Sequence, residues 1–182
     1  CTSWYDNQMS DLTASGMAHG VRNSDVFLLF LTKGVFERPY VLFELLEAID
    51  AEKRLVLLHE ESSAVGDGEC AFDFDGTTGV PAEAQAVTCA LLRHFQSLPW
   101  RRLRHEQRSL LSELLRRRAA NELKTFYAAC GADIDAEVVA RAAARARRDI
   151  AASEEGGGEG DPGSAGGAGG GSKKCAACCA LC

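Results

Sequence analysis

The chain has 182 residues, of which 46% are hydrophobic and 25% charged, and a net charge of −6. That length supports one domain with a full core, and the mixture is ordinary for a globular protein. The negative balance excludes a general attraction to nucleic acid or anionic membrane, and no apolar run is long enough to span a bilayer.

Trp4 and Tyr5 read as the end of a short strand, and the polar residues Asp6 to Asp11 as a loop. Leu12 to Asn23 has a loose helical spacing, with apolar residues at Leu12, Met17 and Val21. From Val26 to Leu31 the chain is continuously apolar, which suits a strand buried on both faces of a parallel sheet. Lys33 to Pro39 connects it to a helix in which Val41, Leu42, Leu45, Leu46 and Ile49 form one buried stripe. Leu55 to Leu58 is a second buried strand, so Asp25 to Leu58 reads as a βαβ unit whose crossover should be right-handed.

Glu61 to Gly79 is a long Gly, Asp and Ser-rich loop, and Pro81 to Phe95 is helix-prone. Leu98 to Leu103 reads as a short last strand around Trp100. His105 to Tyr127 reads as one amphipathic helix with Leu110, Leu111, Leu114 and Leu115 on its buried face, continued by Leu123 and Phe126. Asp135 is an N-cap for an Ala/Arg-rich helix reaching about Ile150, with few large apolar residues to dock it. The expected organisation is therefore a domain over 1–128, a helical extension over 129–152 and a disordered tail over 153–182, where Gly-rich sequence buries too little to offset its ordering entropy.

From Arg93 to Lys124 nine basic residues face three acidic ones, a local charge of +6. A solvated helix face is the plain reading and a surface for an acidic partner the alternative. Four of the eight cysteines are scattered, which reads as a reducing, cytoplasmic setting rather than a disulfide framework. The other four, Cys175, Cys178, Cys179 and Cys182, lack the loop that a zinc site wraps around its ion, so no metal is assigned to them. The expectation is that these last residues are low-complexity sequence, with thiol lipidation beside Lys173 and Lys174 as the other reading.

Three segments together carry a family resemblance. Trp4-Tyr5-Asp6 precedes a polar loop and a helix closing on Val21-Arg22-Asn23-Ser24; Asp25 to Thr32 is an apolar strand running into a Thr; and Arg38-Pro39-Tyr40-Val41-Leu42-Phe43-Glu44-Leu45 opens a helix with an aromatic residue and a glutamate. In order and spacing these resemble the boxes of TIR domains (Toll/interleukin-1 receptor), and Ser97-Leu98-Pro99-Trp100 is similar to the aromatic-bearing last strand of that family. The nearest likeness is to TIR-containing proteins of protists and microalgae. The resemblance implies an α/β fold with a flavodoxin-like, three-layer parallel sheet of order 2-1-3-4-5. On that reading the first strand and helix are missing, and the chain, which opens at Cys1, is a fragment or processed product. Because the missing strand is a central one, Trp4-Tyr5 should lack a neighbour and Val26 to Leu31 should expose an apolar edge.

The resemblance also implies a signalling role, in innate immunity among others, through homotypic TIR–TIR assembly, with no membrane span and no nucleic acid. In catalytically active members the glutamate matched by Glu44 serves cleavage of NAD between nicotinamide and ribose. A carboxylate suits that chemistry because departure of nicotinamide leaves an oxocarbenium-like ribose. NAD is then a substrate, an NAD+ nucleosidase reading in which no cofactor is needed. Asp6, Asn7 and Gln8 fall in the loop that gates the site in the family, Trp4 offers a ring for stacking, and Thr32 and Tyr40 complete the candidate set. His59-Glu60-Glu61 and His105-Glu106 are not metal spacings. The alternatives are a non-catalytic TIR adaptor and an unrelated flavodoxin-like nucleoside-processing enzyme.

Overall fold

The computed structural model describes residues 3–4, 13–60, 72, 74, 80–100, 103–155 and 178–181. Its elements in chain order are β1 (Ser3–Trp4), α1 (Ala14–Asn23), β2 (Val26–Leu31), α2 (Pro39–Asp50), β3 (Arg54–Glu60), α3 (Ala82–His94), β4 (Leu98–Trp100), α4 (Arg104–Ala119), α5 (Phe126–Cys130), α6 (Ala136–Glu155) and β5 (Cys178–Leu181). The fold is mixed α/β, with a sheet of order β1-β5-β2-β3-β4. β2, β3 and β4 are mutually parallel, and Leu31 lies opposite His59 in the β2–β3 register. Pro99 sits on β4, an edge strand, where its missing N–H breaks no central ladder.

β5 corrects three expectations. It runs antiparallel to β2, with Phe27 opposite Ala180, and antiparallel to β1, with Ser3 opposite Leu181. The place where a doubly wound sheet puts its first strand is thus filled by the far end of the chain. β1 has a neighbour, the Val26–Leu29 edge is paired, and 178–181 belong to the sheet rather than to a disordered tail. The physical reason is the hydrogen-bonding demand of a buried central edge, which recruits even a weak strand-former.

The apolar run of β2 is buried as its composition requires, and alternation along it sends side chains to two separate clusters. Phe27, Leu29 and Leu31, with Leu55 and Leu57 of β3, pack against Met17 and Val21 of α1, the apolar residues of α2, and α3, α5 and α6. Val26 and Leu28, with Val56 and Leu58, pack on the other face against Leu114 of α4, flanked by Phe30, Trp100, Leu110 and Leu123. Helices therefore cover both faces of the sheet, heavily on one and thinly on the other.

Helix α2 begins with Pro39 at its first turn and is buried along Val41–Ile49, not only on the expected stripe. An all-round buried helix must have neighbours on several sides, and here α1 and α6 supply them beside the sheet. Docking of α6 is secure despite its small residues: Val139, Ala142, Ala143, Ala146 and Ile150 are buried in the same cluster, so 129–155 completes the core instead of extending from it. Asp135 caps it, its Oδ1 accepting from the Glu137 N–H at 2.9 Å.

The long helix expected from His105 to Tyr127 is two helices. α4 stops at Ala119, and Asn121 takes a positive φ of 55°, a conformation that ends helices. Lys124 then accepts from the Leu55 N–H at 3.0 Å, Thr125 bridges to Arg54, and the Thr125 hydroxyl caps α5. The break lets Phe126 enter the α2-side cluster while Leu123 stays with α4. Among the described residues, no helix is long and apolar enough to cross a membrane.

Candidate functional site

In an open α/β sheet, ligand chemistry gathers beyond the carboxyl ends of the parallel strands. There β2 runs through Thr32 into a tight connection: the Thr32 carbonyl accepts from the Val35 N–H at 3.0 Å, and a turn of 3-10 helix spans Val35–Glu37. Gly34 makes this possible with a φ of 66°, and a Cβ there would meet the Glu37 carboxylate carbon at 3.4 Å. Helix α2 starts directly afterwards, so its first two turns stand near the strand ends.

Glu44 lies in the second of these turns and is only 4% exposed. A solvated helix face is therefore not its environment. Tyr40, four residues earlier, is 41% exposed, and its hydroxyl lies 3.4 Å from Ser153 Oγ near the end of α6. The two residues lie one helix turn apart but divide between interior and surface. Thr32 is half-buried, and its Oγ1 is buried without a hydrogen-bond partner among the described residues. Trp4 is placed by its backbone on β1, at the far side of β5 from β2. Asp6, Asn7 and Gln8 lie outside the described residues.

His59 is the residue that reading the sequence passed over. It is the last residue but one of β3, two positions on from Leu57, and so continues the face that packs against α2. Its Nδ1 is buried and has no hydrogen-bond partner among the described residues. The ring meets Phe74 edge-on with centroids 5.5 Å apart, Phe74 meets Phe72 at 4.9 Å, and Phe72 meets Phe36 at 5.9 Å. A run of aromatic rings thus lies over the strand ends beside a half-buried imidazole. The only sequence signal was its position at the end of an apolar strand; testing it for metal spacing discarded it.

A second buried carboxylate, Glu47, sits one turn beyond Glu44 with its side chain 3% exposed. Arg22 of α1 donates to its Oε2 from Nη2 at 2.8 Å and from Nε at 3.1 Å, and Arg147 of α6 donates from Nε to Oε1 at 2.6 Å. Asp50 accepts from Arg22 at 3.2 Å. The Glu47 carboxylate holds the Arg22 guanidinium above its ordinary pKa, first through the hydrogen bond and then through charge. Glu47 is fully engaged in tying three helices, α1, α2 and α6, together.

Three arginines of the basic stretch are paired with carboxylates. Arg116 chelates Glu113 and Glu122, Arg117 pairs with Glu113 at 2.7 Å, and Arg118 reaches Asp25. A cavity of 320 Å³ lined by Leu55, Leu57, Leu98, Leu114, Arg117 and Lys124 lies beside the amino-terminal half of β3, at the opposite end of the strand from His59. Among the described residues no three His, Cys, Asp or Glu side chains are grouped to hold a metal ion. Compared with known proteins, the chain matches no family model, no curated protein and no solved structure.

Proposed function

We propose that this chain is a TIR-like signalling domain of flavodoxin-like architecture that cleaves NAD between nicotinamide and ribose, with Glu44 as the catalytic carboxylate. One observation carries the reading: a glutamate 4% exposed in the helix that leaves a central parallel strand, where the sequence alone allowed a solvated residue. The bond between ribose C1′ and the pyridinium nitrogen breaks, and its electron pair leaves with nicotinamide. The ribosyl cation so formed is stabilised by the Glu44 carboxylate, whose burial lowers the local dielectric and strengthens the attraction. Water then adds to C1′ and gives up a proton. The aromatic run from Phe36 to Phe74 supplies apolar surface for a flat heterocycle, and His59 and Thr32 supply polar atoms at its margin.

A non-catalytic adaptor that works through TIR–TIR assembly is the second reading. It is favoured by the packing of α6 along α2, which brings Ser153 to Tyr40 at the first turn of the helix bearing Glu44 and narrows the approach.

The test is nicotinamide release from NAD by the full chain and by Glu44→Gln, which keeps the buried shape. The catalytic reading expects a loss of about 10²–10³-fold, the range for removing one transition-state-stabilising group. Equal turnover in both removes Glu44 from the mechanism. Two inert proteins that still self-associate establish the adaptor.

A further inference from the structure

β5 is the last of the described elements and the odd member of its sheet. β2, β3 and β4 run parallel, whereas β5 runs against both of its neighbours. Its four residues pair with Val26–Leu29 on one side and, through Ala180 and Leu181, with Ser3–Trp4 on the other. Take it away and β1 loses its neighbour in the sheet while β2, with the sequence Val-Phe-Leu-Leu-Phe-Leu, becomes an edge. Such an edge accepts an extended strand through main-chain hydrogen bonds, whatever molecule supplies it.

The supplier is tethered by the 22 residues 156–177, mostly Gly, Ala and Ser. A connection of that length spans at most about 75 Å, against a diameter of about 40 Å for a domain of this size. The tether is therefore long enough for the same strand to reach the slot of a neighbouring molecule as well as its own.

We propose that the slot between β1 and β2 is a strand-acceptor site with an exchangeable occupant: two copies of this chain each donate Cys178–Leu181 to the other. Exchange preserves every ladder bond and requires no new surface, which makes it a low-cost route to a dimer. The tether sets the balance. An effective concentration on the order of millimolar keeps the strand on its own sheet in dilute solution, and the exchanged dimer gains as protein concentration approaches that value.

Ala180→Pro in the full chain tests this. Ala180 lies opposite both Trp4 and Phe27, and proline there removes a donor from a central ladder. The parent should form a dimer whose fraction rises toward millimolar concentration, and the variant alone should not. Amide exchange over residues 26–29 should be at least ~10-fold faster in the variant. A synthetic peptide of residues 173–182, kept reduced, should bind the variant at least ~10-fold more tightly than the parent, whose slot is occupied. A parent that stays monomeric to millimolar concentration, equal dimerisation of the two proteins, or a peptide indifferent to the substitution overturns the proposal. Should the variant not fold, the peptide at millimolar concentration is added to the parent: it should dissolve the dimer, and a dimer insensitive to it overturns the proposal equally.

Discussion

The two faces of the sheet are built to different standards. On one, residues from five helices close over β2 and β3 with fully buried Leu45, Leu46, Ile49, Leu91, Phe126 and Ile150. On the other, α4 buries Leu114 alone, while Leu111 and Leu115 of the same helix are 42% and 47% exposed. Both faces receive alternate residues of the same strands, so strand composition does not explain the difference. The number of helices that return to each face does. The thick face is also where a buried carboxylate can be held, because only there are enough groups present to surround it.

Substitutions graded across the two faces sharpen this contrast. Phe126→Ala empties a fully buried site on the thick face and should cost about 3–5 kcal/mol in denaturant unfolding. Leu114→Ala, the central contact of the thin face, should cost about 2–3 kcal/mol, at the low end for its type because its surroundings can collapse. The exposed Leu111→Ala should stay within about 0.5 kcal/mol. A Leu111 effect equal to that of Leu114 would show that α4 is covered in solution. Glu47→Gln removes the charge from the three-helix tie and should cost about 1–3 kcal/mol, since both arginines keep access to water.

The smallest effect is a pH dependence on the thin side. Hydrogen bonds from Arg116, then from Arg117, push the Glu113 carboxyl down to about 2. A carboxylate depressed on folding stabilises the folded state above its unfolded pKa and loses that contribution as pH falls through the folded value. Parent and Glu113→Gln should therefore differ most above the ordinary carboxylate range and converge as pH drops toward about 2. The pair is exposed, so added salt should shrink the difference. A difference that grows below pH 4 would reverse the assignment.

What the sequence disclosed and what it hid follow from the range of the interactions involved. β2, α2 and β3 were legible because each carries its own apolar pattern. Glu44 stood out through its place in the Tyr40 to Leu45 box, yet its burial depends on α2 being covered on all sides, which no local pattern states. Glu47 carried no local signal, for its arginines arrive from positions 22 and 147. The end of α4 was hidden because Leu123 and Phe126 preserve the helical period across a residue with positive φ. β5 was hidden more deeply: Cys-Cys-Ala-Leu has little strand character, and its partners lie about 150 residues or more away along the chain.

That separation bears on synthesis. Val26–Leu29 leave the ribosome long before Cys178–Leu181 are made. At about 5–20 residues per second, the intervening chain takes on the order of 10–30 s to translate. Throughout that interval the apolar flank of β2 has no final partner in its own polypeptide. Nascent chains on one message are therefore exposed to one another at their stickiest strand, and a truncation that removes Cys178–Leu181 would make that exposure permanent.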